Sequence, residues 1–287
     1  MENTRKHWGV DQWAAFFATR PLPVMPRSKT RVAELAEAQG DALSPHALAE
    51  VVLDDPLLCL RLLREAEHIR SQRLGNETTT TLQAIMQLGI DRFRRLLDSS
   101  EEIDNDNAGL LYVEARSALA SRIALRWAPG RSDMRPVELA LAALLADTGE
   151  LLLWLHAPQL AQAALDELRS GRAARSSQAQ IQVCGFDFKS LTLRCAEAWH
   201  LPDLLIHLLR GQESERALIA RTCNNFARHL LNNDENTELA MAADLVDAHK
   251  LLPAVSYEWL TEGIPELDAE TRQHLIDRAH KLHTYEI

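Results

Sequence analysis

The stretch ALLADTGELLLW, residues 143–154, sets one carboxylate, Asp147, between two apolar runs and follows it closely with Gly149. A carboxylate surrounded by Leu and Ala costs free energy unless something pairs with it. Asp147 therefore either does chemistry, for example by holding a metal, or is the remnant of a site that no longer works. The residues from Leu139 to Leu145 and from Leu151 to Leu155 are apolar on almost all sides. A helix of that kind sits at the centre of a bundle. The pattern predicts a helix from about 137 to 155, with Asp147 buried or at the base of a pocket.

Outward from this helix the chain reads as helical nearly everywhere. Ser44-Pro45 and Asp55-Pro56 each place an N-cap residue before a proline at the first helical position. After the second of these, Leu57, Leu60 and Leu63 recur at helical spacing while Arg61, Arg64 and Glu65 lie off that stripe. TLQAIMQLG (81–89) reads as a short helix ended by Gly89, and IDRFRRLLDS as the next. Further helices are predicted near 110–128, 158–169, 187–199, 202–210, 213–232, 238–250, 254–262 and 268–283. No alternating run is long enough for a sheet, and no repeat of fixed period occurs. The fold class expected is all-α.

SSEEIDNDNAG (99–109) is a polar, acidic stretch and the natural boundary between lobes. The organisation expected is an N-terminal helical lobe (1–105), a helical bundle (106–232) and C-terminal helices packed on it (233–287). The charge divides in the same place. Residues 1–98 carry 13 Lys/Arg and 13 Asp/Glu, so the later residues hold the whole formal net charge of −10. An acidic larger part argues against general binding to nucleic acid or to an anionic membrane. The one apolar run long enough to span a bilayer, 139–157, contains Asp147 and Glu150 and is read as a buried helix in a water-soluble protein. The N-terminus has no apolar signal region, and Cys59, Cys184, Cys195 and Cys223 show neither disulfide nor zinc spacing. Buried thiols in a reducing cytoplasm are expected.

Several landmarks in order resemble the HDOD family. PLPVMPRSKTRVAELAEAQGDALSPHALAEVVLDDPLLCLRLLREAEH (21–68) is similar to that family's opening, with an LPxLP-like motif, a helix and an Asp-Pro-led helix. TLQAIMQLGIDRFRRLL (81–97) resembles its Ala-Ile-x-x-Leu-Gly helix, and CAEAWHLPDLLIHLLR (195–210) its Trp-x-Leu-Pro element. ALLADTGELLLW falls where the family and its catalytic HD-domain relatives carry Ala-x-Leu-x-His-Asp-x-Gly. The resemblance spans residues 21 to about 230. It implies an HD-domain or phosphodiesterase-like helical bundle with an N-terminal helical lobe.

Catalytic HD domains are metal phosphohydrolases with a His, a His-Asp pair and a later Asp as ligands. Carried over by resemblance, the first position falls on Arg116 in EARSALASRIALRW (114–127), the pair on Ala146-Asp147, and the last on Asn224 in LIARTCNNFARHL (218–230). Only Asp147 is of ligand type. A metal that activates water needs about three protein ligands and an open position. No metal, no cofactor and no catalytic residue is therefore expected, and Asp147 is expected to be neutralised by Arg116, Arg194 or His207. The resemblance implies a bacterial signal-transduction or regulatory module acting through an unidentified protein partner. A nucleotide or other small-molecule ligand in the vestigial pocket is the third reading, and a metal-dependent phosphohydrolase with atypical ligands the second.

The remaining polar features read more plainly. His156 is expected in a surface or capping role, His200 and His207 in ordinary hydrogen bonds near helix ends in preference to a role as leftover ligands, and His274, His280 and His283 on a solvated helix face. DNDNAG (104–109) begins like a calcium loop, but Ala108 and Ala115 stand at two ligand positions. NNDEN (232–236) reads as a polar connection, and Arg92, Arg94 and Arg95 as a solvated basic face. No phosphate loop, dinucleotide fingerprint or nucleophile elbow occurs.

Overall fold

The computed structural model describes residues 7–73, 77–104, 106–211, 214–232 and 237–285. Its helices are α1 (Val10–Ala18), α2 (Pro26–Gln39), α3 (Pro45–Val52), α4 (Pro56–Arg73), α5 (Thr81–Leu88), α6 (Ile90–Asp98), α7 (Ala108–Trp127), α8 (Pro136–Leu145) and α9 (Thr148–His156). There follow α10 (Pro158–Arg169), α11 (Ser176–Cys184), α12 (Phe188–Ala198), α13 (Asp203–Arg210), α14 (Glu215–Leu230), α15 (Thr237–Leu251), α16 (Tyr257–Thr261) and α17 (Ala269–Tyr285). Among the described residues there is no strand, only one isolated bridge between Val24 and Glu102. The protein is all-α, as its pattern predicts. No described helix is long and apolar enough to cross a membrane.

The chain folds into two compact units: residues 1–115 with 145–206, and residues 116–144 with 207–287. Neither unit is a single consecutive stretch of the sequence. Composition marks where polar loops fall, and packing partners are chosen by apolar faces that composition does not order.

In the first unit α1 packs on α12, α12 on α9, and α9 on α10. The sequence WAAFF in α1 buries Trp13 and Phe17 almost completely. Full burial of one such side chain is worth roughly 1.5–3 kcal/mol. Phe17 also stacks on His156, with ring centroids 5.5 Å apart, so His156 packs against the aromatic face of α1 instead of capping at the surface as expected. The α4 helix buries Leu57, Leu58, Leu60, Leu62 and Leu63, and packs against α5 and α6. Gly89 joins α5 to α6 at φ +81°, a corner that residues with a Cβ rarely take. The acidic loop before α7 is tied down by backbone hydrogen bonds: Val24 N–H donates to Glu101 C=O and Ile103 N–H to Val24 C=O. Asn107 caps α7, accepting from Leu110 N–H, and donates through Nδ2 to Trp154 C=O at 2.8 Å.

In the second unit α14, α15 and α17 pack in succession and α16 lies against α17. Trp127 is fully buried and donates from its indole N–H to Leu260 C=O at 2.8 Å. His283 meets the Tyr257 hydroxyl at 3.0 Å and is half-buried, while His280 is exposed, so only part of the expected solvated face is solvated. Residue 105 of the calcium-like stretch and residues 233–236 of NNDEN lie outside the described residues.

Candidate functional site

The 143–154 stretch is two helices, not one. The α8 helix ends at Leu145, α9 begins at Thr148, and Ala146 and Asp147 form the elbow between them. Asp147 takes the N-cap position with φ −99° and ψ 19°. It is half-exposed, and so is Ala146. The expectation of a carboxylate buried inside a continuous helix is corrected by this break. Asp, Thr and Gly suit helix starts better than helix interiors, and the break falls among them, although the Asp147 side chain makes no cap hydrogen bond.

The elbow is held by its own polar atoms. Thr148 Oγ1 donates to Leu145 C=O at 2.7 Å, satisfying a carbonyl at the end of α8. Gly149 N–H donates to Thr192 Oγ1 on α12 at 2.8 Å. The Thr192 hydroxyl lies 3.2 Å from Ala146 C=O and 3.1 Å from Phe188 C=O, both able to accept its proton. A Cβ at position 149 would stand 2.4 Å from Phe188 C=O. The Asp-Thr-Gly segment thus works as a joint that locks α9 flat against α12.

The other positions carried over from the resemblance lie in the second unit. Arg116 is buried on α7, and His207 is half-buried on α13. Asn224 on α14 turns back on its own helix, with Nδ2 donating to Ala220 C=O at 3.1 Å. Arg194, one of the three cations expected to neutralise Asp147, is instead exposed and paired with Asp11 at 2.6 Å and Glu197 at 3.2 Å. Among the described residues no three His, Cys, Asp or Glu side chains are grouped so as to hold a metal ion.

All four cysteines are buried, as expected. Burial pushes the thiol of Cys184 up to about 11 and that of Cys195 up to about 12. A thiol so placed stays protonated at neutral pH and is a poor nucleophile.

A polar network that no sequence motif advertises lies under the LPxLP-like segment. The fully buried Asp55 accepts four hydrogen bonds: Oδ1 from Leu57 N–H and Leu58 N–H at 3.0 Å, and Oδ2 from Met25 N–H at 2.9 Å and Ser28 Oγ at 2.7 Å. The Asp-Pro landmark and the LPxLP-like landmark, 30 residues apart, are therefore two sides of one contact. Beside it Arg27 forks onto Glu114, with Nη1 3.0 Å from Oε2 and Nη2 bound to Oε1, and donates to Asp54 C=O at 2.7 Å. Burial holds the carboxyls of Asp55 and Glu114 above their ordinary range against the downward pull of these partners. The one signal in the sequence is Asp55 itself, a capping carboxylate followed by an uninterrupted apolar run.

The chain is all-helical, has an elbow at Ala146 and Asp147 between α8 and α9, and groups no metal ligands among its described residues. The HDOD domain model matches residues 22–215, and the chain belongs to the HDOD family. Comparison with curated proteins gives no match. Among solved structures, the MmoQ response regulator from Methylococcus capsulatus str. Bath is similar at 20% identity and TM-score 0.63, over 90% of this chain and 99% of that one. A virulence factor from Campylobacter jejuni subsp. jejuni is similar at 17% identity and TM-score 0.68, over 92% of this chain and 98% of that one. At such identities the likeness concerns the fold.

Proposed function

We propose that this chain is a non-catalytic signal-transduction or regulatory module of a bacterial cytoplasm, acting through a protein partner or a small-molecule ligand. The observation that carries the reading is the set of residues at the ligand positions that the resemblance implies. There Ala146 stands where a ligating His belongs, Asn224 where the later Asp belongs, and Arg116 brings a fixed positive charge to the first position. Thr148 and Gly149 beside Asp147 are engaged with Leu145 and Thr192. A cation in place of a ligand opposes metal binding by Coulomb repulsion. Membership of the HDOD family supports a signalling role, as does the likeness in fold to MmoQ, a response regulator.

Elemental mass spectrometry of untagged protein purified without chelator tests the reading. Less than about 0.1 equivalent of Fe, Mn, Zn, Ni or Co, unchanged after incubation with each metal, is the expected result. About one equivalent or more, lost on Asp147→Ala, overturns it in favour of a metal-dependent phosphohydrolase with atypical ligands.

A further inference from the structure

The first unit contains a second polar feature, remote in sequence from the elbow. A hollow of about 540 Å³ opens between the end of α1 and the outer face of α4, lined by Arg20, Leu22, Arg61, Arg64, Glu65 and His68 among others. That volume lies within the range of small-molecule sites. Three guanidinium groups border one concavity.

Their partners are backbone carbonyls, a hydroxyl and aromatic rings. Arg27, Arg70, Arg92 and Arg194 each meet a carboxylate. Among the described residues Arg20, Arg61 and Arg64 meet none at ion-pair distance. Arg61 donates from Nη1 to Leu22 C=O at 2.8 Å, and its Nη2 lies 3.5 Å from Ser99 Oγ. Arg64 donates to Arg20 C=O at 3.2 Å and to Ala18 C=O at 2.9 Å, and its guanidinium lies 5.0 Å from the Trp199 ring centroid. Arg20 lies over Phe16 at 4.3 Å. Glu65, the one acidic group lining the hollow, is engaged by Arg92.

The carbonyl contacts give Arg61 and Arg64 a structural task, fastening the end of α1 to α4. That task explains their position; the acidic group near them is Glu65, whose charge acts on Arg61 and which itself pairs with Arg92. Arg64 uses two of its five N–H donors in it, and Arg61 uses one on Leu22 C=O while a second faces Ser99 Oγ. Arg61 Nε is buried with no acceptor. Burial lowers the affinity of both guanidiniums for their protons, and the charge of Arg61 lowers that of Arg64 further. Like charges held together in a partly dry hollow repel, and an anion placed among them relieves the repulsion. Planar guanidinium forks match phosphate oxygens in pairs, and several converging cations favour a polyvalent anion over a single carboxylate.

We infer that the hollow bordered by Arg20, Arg61 and Arg64 binds a small phosphorylated anion. This inference stands apart from the metal question, since it uses none of the residues of the elbow.

Isothermal titration of the full chain at low ionic strength, with inorganic pyrophosphate and with ATP in parallel, tests it. Saturable binding of either in the micromolar range, at about one site per chain, is expected. Pyrophosphate alone sufficing marks a bare phosphate site, and tighter binding of ATP marks a nucleotide site. Arg20→Glu, which disturbs no side-chain hydrogen bond in the structure, is expected to weaken binding about tenfold or more. Arg61→Lys keeps the charge and loses the fork, and is expected to weaken it about threefold or more with the melting curve retained. The exposed Arg169→Glu on α10 serves as control and leaves binding unchanged. Absence of saturable heat up to about 10 mM ligand, or equal loss in Arg20→Glu and Arg169→Glu, overturns the inference.

Discussion

At the residue scale, the buried carboxylates of the first unit show how strongly a charge depends on one neighbour. The Glu114 side chain is only 3% exposed, and its two oxygens are both met by Arg27. Arg27→Ala leaves that carboxylate desolvated and alone. The expected loss is about 2–3 kcal/mol at neutral pH, less than for a fully buried pair because Arg27 is itself half-exposed. The dependence on pH has a definite sign. Burial raises the folded-state pKa of Glu114, so its contribution to stability is complete below the unfolded value near 4.5 and is lost as pH rises through the folded one. Without Arg27 the folded value rises further. Urea melts of the variant are expected to approach those of the wild type near pH 4.5 and to fall away from them as pH increases. A deficit that stays constant with pH would show that Arg27 acts through packing alone. None of this is legible from Glu114 in the sequence, where it is one acidic residue near the start of a helix. Its partner lies 87 residues away, and no local pattern joins the two.

At the scale of elements, the elbow between α8 and α9 answers the question posed by Asp147. The apolar pattern predicts the helices on either side correctly, because apolar periodicity survives a short break. It does not place the break, although Asp-Thr-Gly within a Leu/Ala run is the chemistry of a helix start. Asp147 stands at the N-cap position of α9 without a side-chain cap hydrogen bond. The energetic weight of the elbow rests on Gly149 and Thr192. Gly149→Ala would place a methyl 2.4 Å from a carbonyl oxygen of α12, so the two helices must part. A loss of about 2–4 kcal/mol is expected. Thr192→Val keeps the shape and removes the acceptor of the buried Gly149 N–H, for an expected cost of about 1–3 kcal/mol. The two changes act on one joint, so the double variant is expected to lose less than the sum of the singles. Chemical denaturation of all four proteins measures this. Strict additivity would mean that the close approach and the hydrogen bond are independent features of α9.

At the scale of the whole molecule, the class of fold is plain in the sequence and the partition of the chain is hidden. Caps, prolines and leucine spacing mark helix after helix, although α1 and α11 go unmarked because each is short and has no strong start signal. The partition depends on which apolar face meets which, and α1 shows why that is invisible locally. Trp13 and Phe17 make it apolar, yet the helix they pack on is α12. Phe17 stacks on His156, Arg64 approaches Trp199, and Arg194 pairs with Asp11. Each of these contacts joins the first 115 residues to the segment 145–206. A fragment of residues 1–105, the lobe that composition delimits, therefore leaves the aromatic face of α1 without α12 and removes Glu114 from Arg27. It is expected to retain helical circular dichroism without a cooperative melt, and to bind a hydrophobic dye that the full chain does not bind. A sharp thermal transition in that fragment would show instead that α2 to α6 suffice as a folding unit, with α1 and the 145–206 helices added to a lobe already stable. The packing of α4 on α5 and α6 is local in sequence, which favours that opposite outcome kinetically. Against it, Arg27 beside the LPxLP-like segment forks onto the buried Glu114, which the fragment lacks. In the fragment Arg27 keeps Asp54 but loses its buried partner, so the long-range contacts decide in favour of the interleaved unit.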